Sequence, residues 1–261
     1  MCVVAAACGS PPVRLGATFS LEQSGALTGI DSVWTGERFV TIVGPSGQIL
    51  RSAAAGDLDV VVTHAPALER RWLGAPGRTA LRCPLFASRF AIVGPPADAA
   101  RIRGLASGVA AMGRIARVGA VFVSRADSSG THEKERELWR LAGVDPGPEL
   151  WHVESGASQA ANLQQASNWR AYTLADLPTF LLIKDRRGDA LDLEVLVAPT
   201  ADTLLTNPYT LYLTAPPDRL ERARPLAEWL ATAWRDRVLA QRLPDGSAAF
   251  VMRDGSCKGS P

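Results

Sequence analysis

Residues 122–135 read Phe-Val-Ser-Arg-Ala-Asp-Ser-Ser-Gly-Thr-His-Glu-Lys-Glu, a short apolar run followed by a polar turn and a segment of helical period. The pattern predicts a strand, a turn and a helix that begins at Gly130. The first backbone N–H groups of a helix have no partner within it, and the helix dipole adds positive potential at the same end. The turn is therefore suited to hold an anion.

The side chains of this turn supply further hydrogen-bond donors. A tetrahedral oxyanion in a closed cleft requires many donors and little countercharge, because N–H and O–H bonds must replace its hydration shell. Three hydroxyls and one forked guanidinium meet that requirement. The alternative is an ordinary helix start in which Arg125 and Asp127 form an ion pair at the surface. The candidate oxyanion contacts in this turn are Arg125, Ser128, Ser129, Gly130 and Thr131.

Two further turns carry the same chemistry. One spans residues 17–25 and contributes Thr18 and Ser20, and the other spans residues 44–50 and contributes Ser46 and Gly47. Each turn alone is an ordinary strand-to-helix connection. Ligands of open α/β sheets bind outside the carboxyl ends of the strands, so three such turns together predict one shared anion site.

Apolar runs alternate with segments of helical period along the whole chain. The predicted strands are 39–43, 59–63, 90–93, 121–124 and 211–213, and the predicted helices are 47–55, 102–117, 130–141, 159–167, 174–183 and 220–243. This alternation predicts an α/β architecture with largely parallel strand pairing.

Length and composition limit the function classes. The 261 residues suffice for two domains or one two-lobed domain, and 47% of them are hydrophobic, which excludes a disordered chain. The formal net charge of +2 predicts neither nucleic-acid nor membrane-surface binding. The chain also lacks a P-loop, a dinucleotide-binding loop, a nucleophile elbow and the His-Glu-x-x-His zinc pattern. We therefore predict no catalytic residue, no cofactor and no metal site, and we expect His64 to order a loop.

The first twelve residues are small and apolar up to Cys8 and then become loop-like. Ala5-Ala6-Ala7-Cys8 resembles the end of a bacterial lipoprotein signal, so Cys8 is the predicted lipidation site and 1–12 a residual signal. The alternative is a frayed end with incidental cysteines. If Cys8 is lipidated and the residues before it are removed, Cys83 and Cys257 are the remaining thiols, and outside the cytoplasm they could pair.

Several short stretches occur in an order and spacing that resemble a known family. They are Thr18-Phe19-Ser20 with Ser24-Gly25, Ser46-Gly47-Gln48, residues 56–66 ending in His-Ala-Pro, residues 90–95, Ser124-Arg125 through Thr131-His132, residues 171–176, and Asn207-Pro208-Tyr209. From about residue 13 to residue 250 the chain is similar to the tungstate-binding component of tungstate ABC importers, a type II periplasmic binding protein.

The resemblance implies two α/β lobes with a central ligand cleft and two hinge crossings, near 90–93 and 209–213. Lobe 1 would comprise 13–90 and 210–261, and lobe 2 would comprise 91–209. A monomer outside the cytoplasm would capture tungstate or molybdate, catalyse no reaction and deliver the anion to a permease and its ATPase. Contact with the membrane would be limited to a lipid anchor.

The sequence leaves the ligand open. Phe19 and Leu21 stand where the family has threonine, and residues 157–160 depart from its Gly-Gln-Gly-Met stretch. The Arg-x-Asp-x-Ser-Gly-Thr pattern is also similar to that of phosphate-binding proteins of the same fold. Hydrogen phosphate carries a proton and needs an acceptor, so an Asp127 that faces the ligand would favour phosphate.

Two other function classes remain open. One is an oxyanion sensor with the same fold. The other is an enzyme, which would need a general base, with Glu154 and Asp176 as the candidates.

Overall fold

Strands and helices alternate along the chain. The computed structural model describes residues 10–147 and 149–259. The strands are β1 (Val13–Thr18), β2 (Phe39–Gly44), β3 (Val60–Thr63), β4 (Leu81–Gly94), β5 (Phe122–Ser124), β6 (His152–Glu154), β7 (Thr173–Asp176), β8 (Glu194–Val197), β9 (Thr206–Leu213), β10 (Val251–Met252) and β11 (Lys258–Gly259). The helices are α1 (Phe19–Gln23), α2 (Ile30–Val33), α3 (Ser46–Ala54), α4 (Pro66–Leu73), α5 (Gly108–Val118), α6 (Gly130–Leu141), α7 (Gln159–Trp169), α8 (Leu177–Arg187), α9 (Pro217–Trp229) and α10 (Arg235–Leu239), with a π-helical turn at Leu230–Trp234.

Strand β1 lies inside the main sheet, between β2 and β3, and runs parallel to both. Its side chains Val13, Leu15 and Ala17 point into one buried apolar core. Because the three strands are parallel, their carboxyl ends meet at one edge of the sheet. Three connections therefore start side by side there, at α1, at α3 and at the loop before α4.

The prediction of largely parallel pairing is wrong. Among the described residues, β1 pairs in parallel with β2 and β3, and β5 with β6, but every pairing made by β4 and β9 is antiparallel. The direction of a strand depends on where the preceding connection leaves the chain. Apolar periodicity does not encode that direction.

The long strand β4 belongs to both halves of the molecule. Its first part pairs with β9, and residues Phe90–Val93 pair with β7. Two of the buried apolar clusters draw on residues 13–86 and 209–250, and the two others draw on residues 90–205. The chain therefore folds as two α/β lobes that β4 and β9 connect.

Most of the predicted elements are present, and the errors fall at their ends. The helix predicted over 102–117 begins only at Gly108, because the Ser107 side chain caps it by accepting from the Ala110 N–H at 3.3 Å. The helix predicted over 174–183 begins only at Leu177, because residues 173–176 form β7. Other elements were not predicted: strands β1, β6, β7, β8, β10 and β11, the first part of β4, and helices α2 and α4.

A disulfide joins Cys83 of β4 to Cys257 near the C-terminus. On either side of Cys257, β10 and β11 pair with β4. In the part of the chain that the structure describes, no helix is long and apolar enough to cross a membrane. The predicted lipidation site Cys8 lies outside the described residues.

Candidate functional site

The three donor-rich turns meet at a small cavity between the lobes, with a volume of about 10 Å³. A cavity of this volume holds about one water molecule. Six of the predicted site residues line it, namely Thr18, Ser20, Ser46, Arg125, Ser129 and Thr131. Six others that the sequence did not single out as contacts also line it, namely Phe19, Gly44, Pro45, His64, Gln159 and Thr179.

Two buried polar atoms in the cavity lining have no hydrogen-bond partner. They are the hydroxyl of Ser46, at the first position of α3, and Nε2 of Gln159, at the first position of α7. Gln159 Oε1 accepts a bond from the Arg125 guanidinium at 3.1 Å, which leaves Nε2 as the free donor of the amide. An unpaired buried polar group costs about 1–3 kcal/mol. The cavity is therefore built for a ligand that accepts hydrogen bonds.

Arg125, directly after β5, is 2% exposed. Its Nε donates to the Ala157 carbonyl at 2.9 Å, and its outer nitrogens bond Gln159 and the Asp127 carboxylate. Burial lowers the pKa of Arg125, and the Asp127 charge opposes that shift. The guanidinium stays charged, and these three bonds use three of its five N–H groups. The alternative, an ion pair at the surface, is wrong, because the side chains of this pair are 3% and 10% exposed.

Asp127 is occupied within its own turn. One carboxylate oxygen bonds Arg125, and the other accepts from the Ser129 N–H at 3.1 Å. Asp127 is not among the residues that line the cavity. The Ser129 hydroxyl accepts from the His132 N–H at 3.3 Å and caps α6, so its own proton stays available.

Three predicted contacts lie beside the cavity instead of lining it. The Gly47 N–H donates to the Ser128 carbonyl at 3.2 Å, so these two residues bond each other across the cleft. Ser128 has a left-handed backbone, with φ of 57°, and an exposed side chain. Gly130 lines a larger neighbouring groove.

His64 lines the cavity and holds one of its hydroxyls. It follows β3 directly, and its Nδ1 lies 2.7 Å from Asn207 Oδ1. The Asn207 amide donates from Nδ2 to Asp176 at 2.9 Å, so its oxygen faces His64 and Nδ1 carries the proton. Nε2 therefore accepts from the Ser20 hydroxyl at 2.9 Å. Burial lowers the pKa of His64 to about 4, so the ring is neutral at pH 7.

The position of His64 at the end of an apolar strand was a signal that sequence reasoning did not use, since ligand-binding residues gather at such ends. Gln159 lies in the 157–160 stretch, which departs from the family pattern and was therefore not expected to supply a donor. It comes from α7, and only its bond to Arg125 brings it into the site.

The electrostatic character of the site is simple. None of the twelve described residues that line the cavity carries a carboxylate, and Arg125 is the one cation among them. Asp176 lies outside the lining, where it accepts bonds from Ser88, Asn207 and Thr179, and burial raises its pKa. Glu154 lies on the larger groove. Neither proposed general base therefore faces the cavity. Among the described residues, no cluster of three His, Cys, Asp or Glu side chains could hold a metal ion.

Known proteins match almost the whole chain. The PBP superfamily domain matches residues 16–233. The tungstate-binding protein TupA of Peptoclostridium acidaminophilum is 31% identical over 229 residues, which are 84% of this chain and 77% of that protein. The solved structure of TupA from Desulfovibrio alaskensis has a TM-score of 0.77 and 28% identity, over 94% of this chain and all of that one. The solved tungstate ABC transporter protein from Geobacter sulfurreducens has a TM-score of 0.71 and 32% identity, over 84% and 93%.

A two-lobed α/β fold with a closed anion cavity at the junction defines a solute-binding protein of the periplasmic type. The chain belongs to the PBP superfamily and, within it, to the family of the TupA tungstate-binding proteins.

Proposed function

We propose that this chain is the extracytoplasmic binding protein of an ABC importer and that it captures tungstate or molybdate between its lobes. The observation that carries the proposal is the pair of unpartnered donors, Ser46 Oγ and Gln159 Nε2. The described residues of the lining include one guanidinium and no carboxylate. A fully deprotonated oxyanion presents only acceptors, which match these donors.

The proposed contacts are Thr18, Ser46, Arg125, Ser129, Thr131 and, in addition to the residues singled out from sequence, Gln159. The Ser20 hydroxyl donates its hydrogen bond to His64, so at the 3.0 Å contact of Ser20 with Thr18 the donor is Thr18. In this arrangement the Thr18 proton points to Ser20, so Thr18 donates to an anion only when its hydroxyl turns away from Ser20, and Ser20 has no further proton to offer. Gly47, Ser128 and Gly130 support the closed arrangement of the two lobes.

The position of Asp127 argues against phosphate. Hydrogen phosphate needs an acceptor for its proton, and Asp127 does not line the cavity but bonds Arg125 and Ser129 beside it. Tungstate and molybdate carry no proton at neutral pH and need no such acceptor.

A thermal-unfolding series of residues 13–261 tests the ligand class. Tungstate or molybdate at about 100 times its Kd is expected to stabilise the protein by roughly 2.7 kcal/mol, a rise in Tm of about 5–10 °C for a chain of this size. Phosphate at equal ionic strength is expected to leave the Tm unchanged. Sulfate, which is smaller than tungstate, tests whether the cavity selects an anion by size. A rise with phosphate alone would contradict the proposal, and so would the absence of a rise with every anion.

Replacement of Ser46 by alanine separates binding from folding. In the free protein the Ser46 hydroxyl is buried without a partner, so its removal is expected to leave the Tm unchanged or to raise it slightly. Tungstate, the charged acceptor, would lose the hydrogen bond that the Ser46 hydroxyl donates to it. Such a bond contributes about 1.5–3 kcal/mol, so the Kd should rise roughly 10- to 100-fold. Calorimetric titration measures the Kd. Ser32→Ala, in the exposed α2, is the matched control, and equal Kd values for both variants would remove Ser46 from the site.

The remaining assignments concern the whole protein. We place the lobe boundaries close to the predicted 90/91 and 209/210, since the buried apolar clusters separate between Phe86 and Phe90 and between Leu205 and Tyr209. The partners are a permease and an ATPase, and the protein acts as a monomer without enzymatic activity. The disulfide supports a location outside the cytoplasm, since such bonds persist in oxidising compartments. We also propose that Cys8 is lipidated and anchors the protein to the membrane.

A further inference from the structure

His64 stands in the wall between the anion cavity and a larger groove of about 920 Å³, and it lines both. Gly130, the first residue of α6 in the second lobe, lines the larger groove and faces the His64 ring. A Cβ atom placed on Gly130 would lie 2.5 Å from Cε1 and Nδ1 of His64. Real Cβ atoms do not approach a ring so closely, so this arrangement accepts only glycine at position 130.

The imidazole ring has little freedom to move aside. Both of its nitrogens are bonded, to Ser20 at 2.9 Å and to Asn207 at 2.7 Å. One face stacks on Tyr209, with the ring centroids 4.9 Å apart, and the residue is 3% exposed. Asn207 and Tyr209 both lie on β9, one of the two strands that connect the lobes. The ring is thus held by the first lobe and by the connecting strand at once.

The bonds of His64 also set the donor geometry of the cavity. Its neutral Nε2 accepts a hydrogen bond from the Ser20 hydroxyl, so the Ser20 oxygen faces Thr18 as an acceptor. Contact between the ring and Gly130 separates the cavity from the open groove. Exclusion of water strengthens every hydrogen bond to a buried anion, because the local dielectric constant falls.

We infer that His64 is a positioning residue for the anion site: it orients Ser20 and Thr18, and its seat against Gly130 closes the cavity toward the groove. The inference rests on the proposed function, since it requires an anion in the cavity. It assigns to Gly130 the role of admitting the ring when the lobes close, instead of a direct contact with the ligand.

The test is a double-mutant cycle on tungstate binding. Gly130→Ala is expected to raise the Kd at least tenfold, mainly through faster dissociation measured by stopped flow, because the new methyl group keeps α6 away from the His64 ring. His64→Ala is expected to weaken binding as well. In the His64→Ala background the added Gly130→Ala should cost less than threefold, because the ring that meets the new methyl group is gone. Gly113→Ala, a helical glycine whose Cβ would meet its nearest neighbour at 3.8 Å, is the matched control.

The possible outcomes separate the two proposals. If the wild-type protein binds no oxyanion, the proposed function fails and the inference fails with it. If the wild-type protein binds tungstate and Gly130→Ala binds equally well, only the inference is overturned. An equal loss from Gly130→Ala with and without the His64 ring would overturn it too, because the methyl group would then act on something other than the ring.

Discussion

Arg125→Ala will abolish tungstate binding at concentrations that saturate the wild-type protein. The guanidinium is the one cation in the described lining of the cavity, and it also orients Gln159 through the 3.1 Å bond to Oε1. Truncation of one partner in a buried, hydrogen-bonded charge pair weakens binding by about 2–5 kcal/mol. The Kd should therefore rise roughly 30- to 5,000-fold. Calorimetric titration with tungstate measures it.

The variant also strands the Asp127 carboxylate in a buried position, and the loss of a buried partner destabilises a fold by about 3–5 kcal/mol. Arg125→Ala/Asp127→Ala removes both charges and is expected to recover the Tm without recovering binding. Arg125→Lys keeps a charge but lacks the fork that reaches Ala157 and Gln159 together, so it should bind weakly. Wild-type affinity in the folded double variant would show that the anion is held elsewhere.

Removal of the disulfide in Cys83→Ala/Cys257→Ala will lower the free energy of unfolding by about 3–5 kcal/mol. The bond joins residues 174 positions apart, and the loss of loop-closure entropy for so long a loop is about 5 kcal/mol in the chain-entropy model. Without it, the C-terminal segment is held mainly by two short strand pairings and by the Arg253 contacts to β9. The expected fall in Tm is about 10–15 °C.

Tungstate affinity of this variant at 20 °C should stay within threefold of the wild type, because neither cysteine lines the cavity. Cys257→Ala alone, which leaves the buried Cys83 thiol in place, controls for packing at Cys83. A Tm equal to that of the wild type would mean that strand pairing alone holds the segment to β4.

The parts of the site that could be predicted from sequence are those encoded within a few neighbouring residues. Hydroxyl residues and glycine after an apolar run indicate a strand, a turn and a capped helix start, and Thr18, Ser46 and Arg125 all follow from that pattern. The same local signals located α6 and α7. The ends of the elements are not encoded in this way. Residues 173–176, before the start of α8, form a strand that pairs with the distant β4.

The parts that could not be predicted depend on contacts between distant residues. The bond from the Gly47 N–H to the Ser128 carbonyl crosses the cleft, and so removes one expected donor, the Gly47 N–H, from the ligand. His64 reaches Asn207 over 143 positions, and Arg125 reaches Gln159 over 34. Local periodicity contains no information about such pairs.

The sequence by itself determined the class of chemistry, which is a set of neutral donors and one cation at the ends of apolar strands. Residue type decides whether a side chain donates, accepts or carries charge, and the spacing decides where helices and strands begin. Only the tertiary structure decided which donors are unpaired. The Asp127 carboxylate bonds Arg125, and the Ser20 hydroxyl donates to His64. Ser46 Oγ and Gln159 Nε2 have no hydrogen-bond partner. The physical reason is that a hydrogen bond saturates its groups, so a donor is available to a ligand only when the fold brings no other acceptor to it.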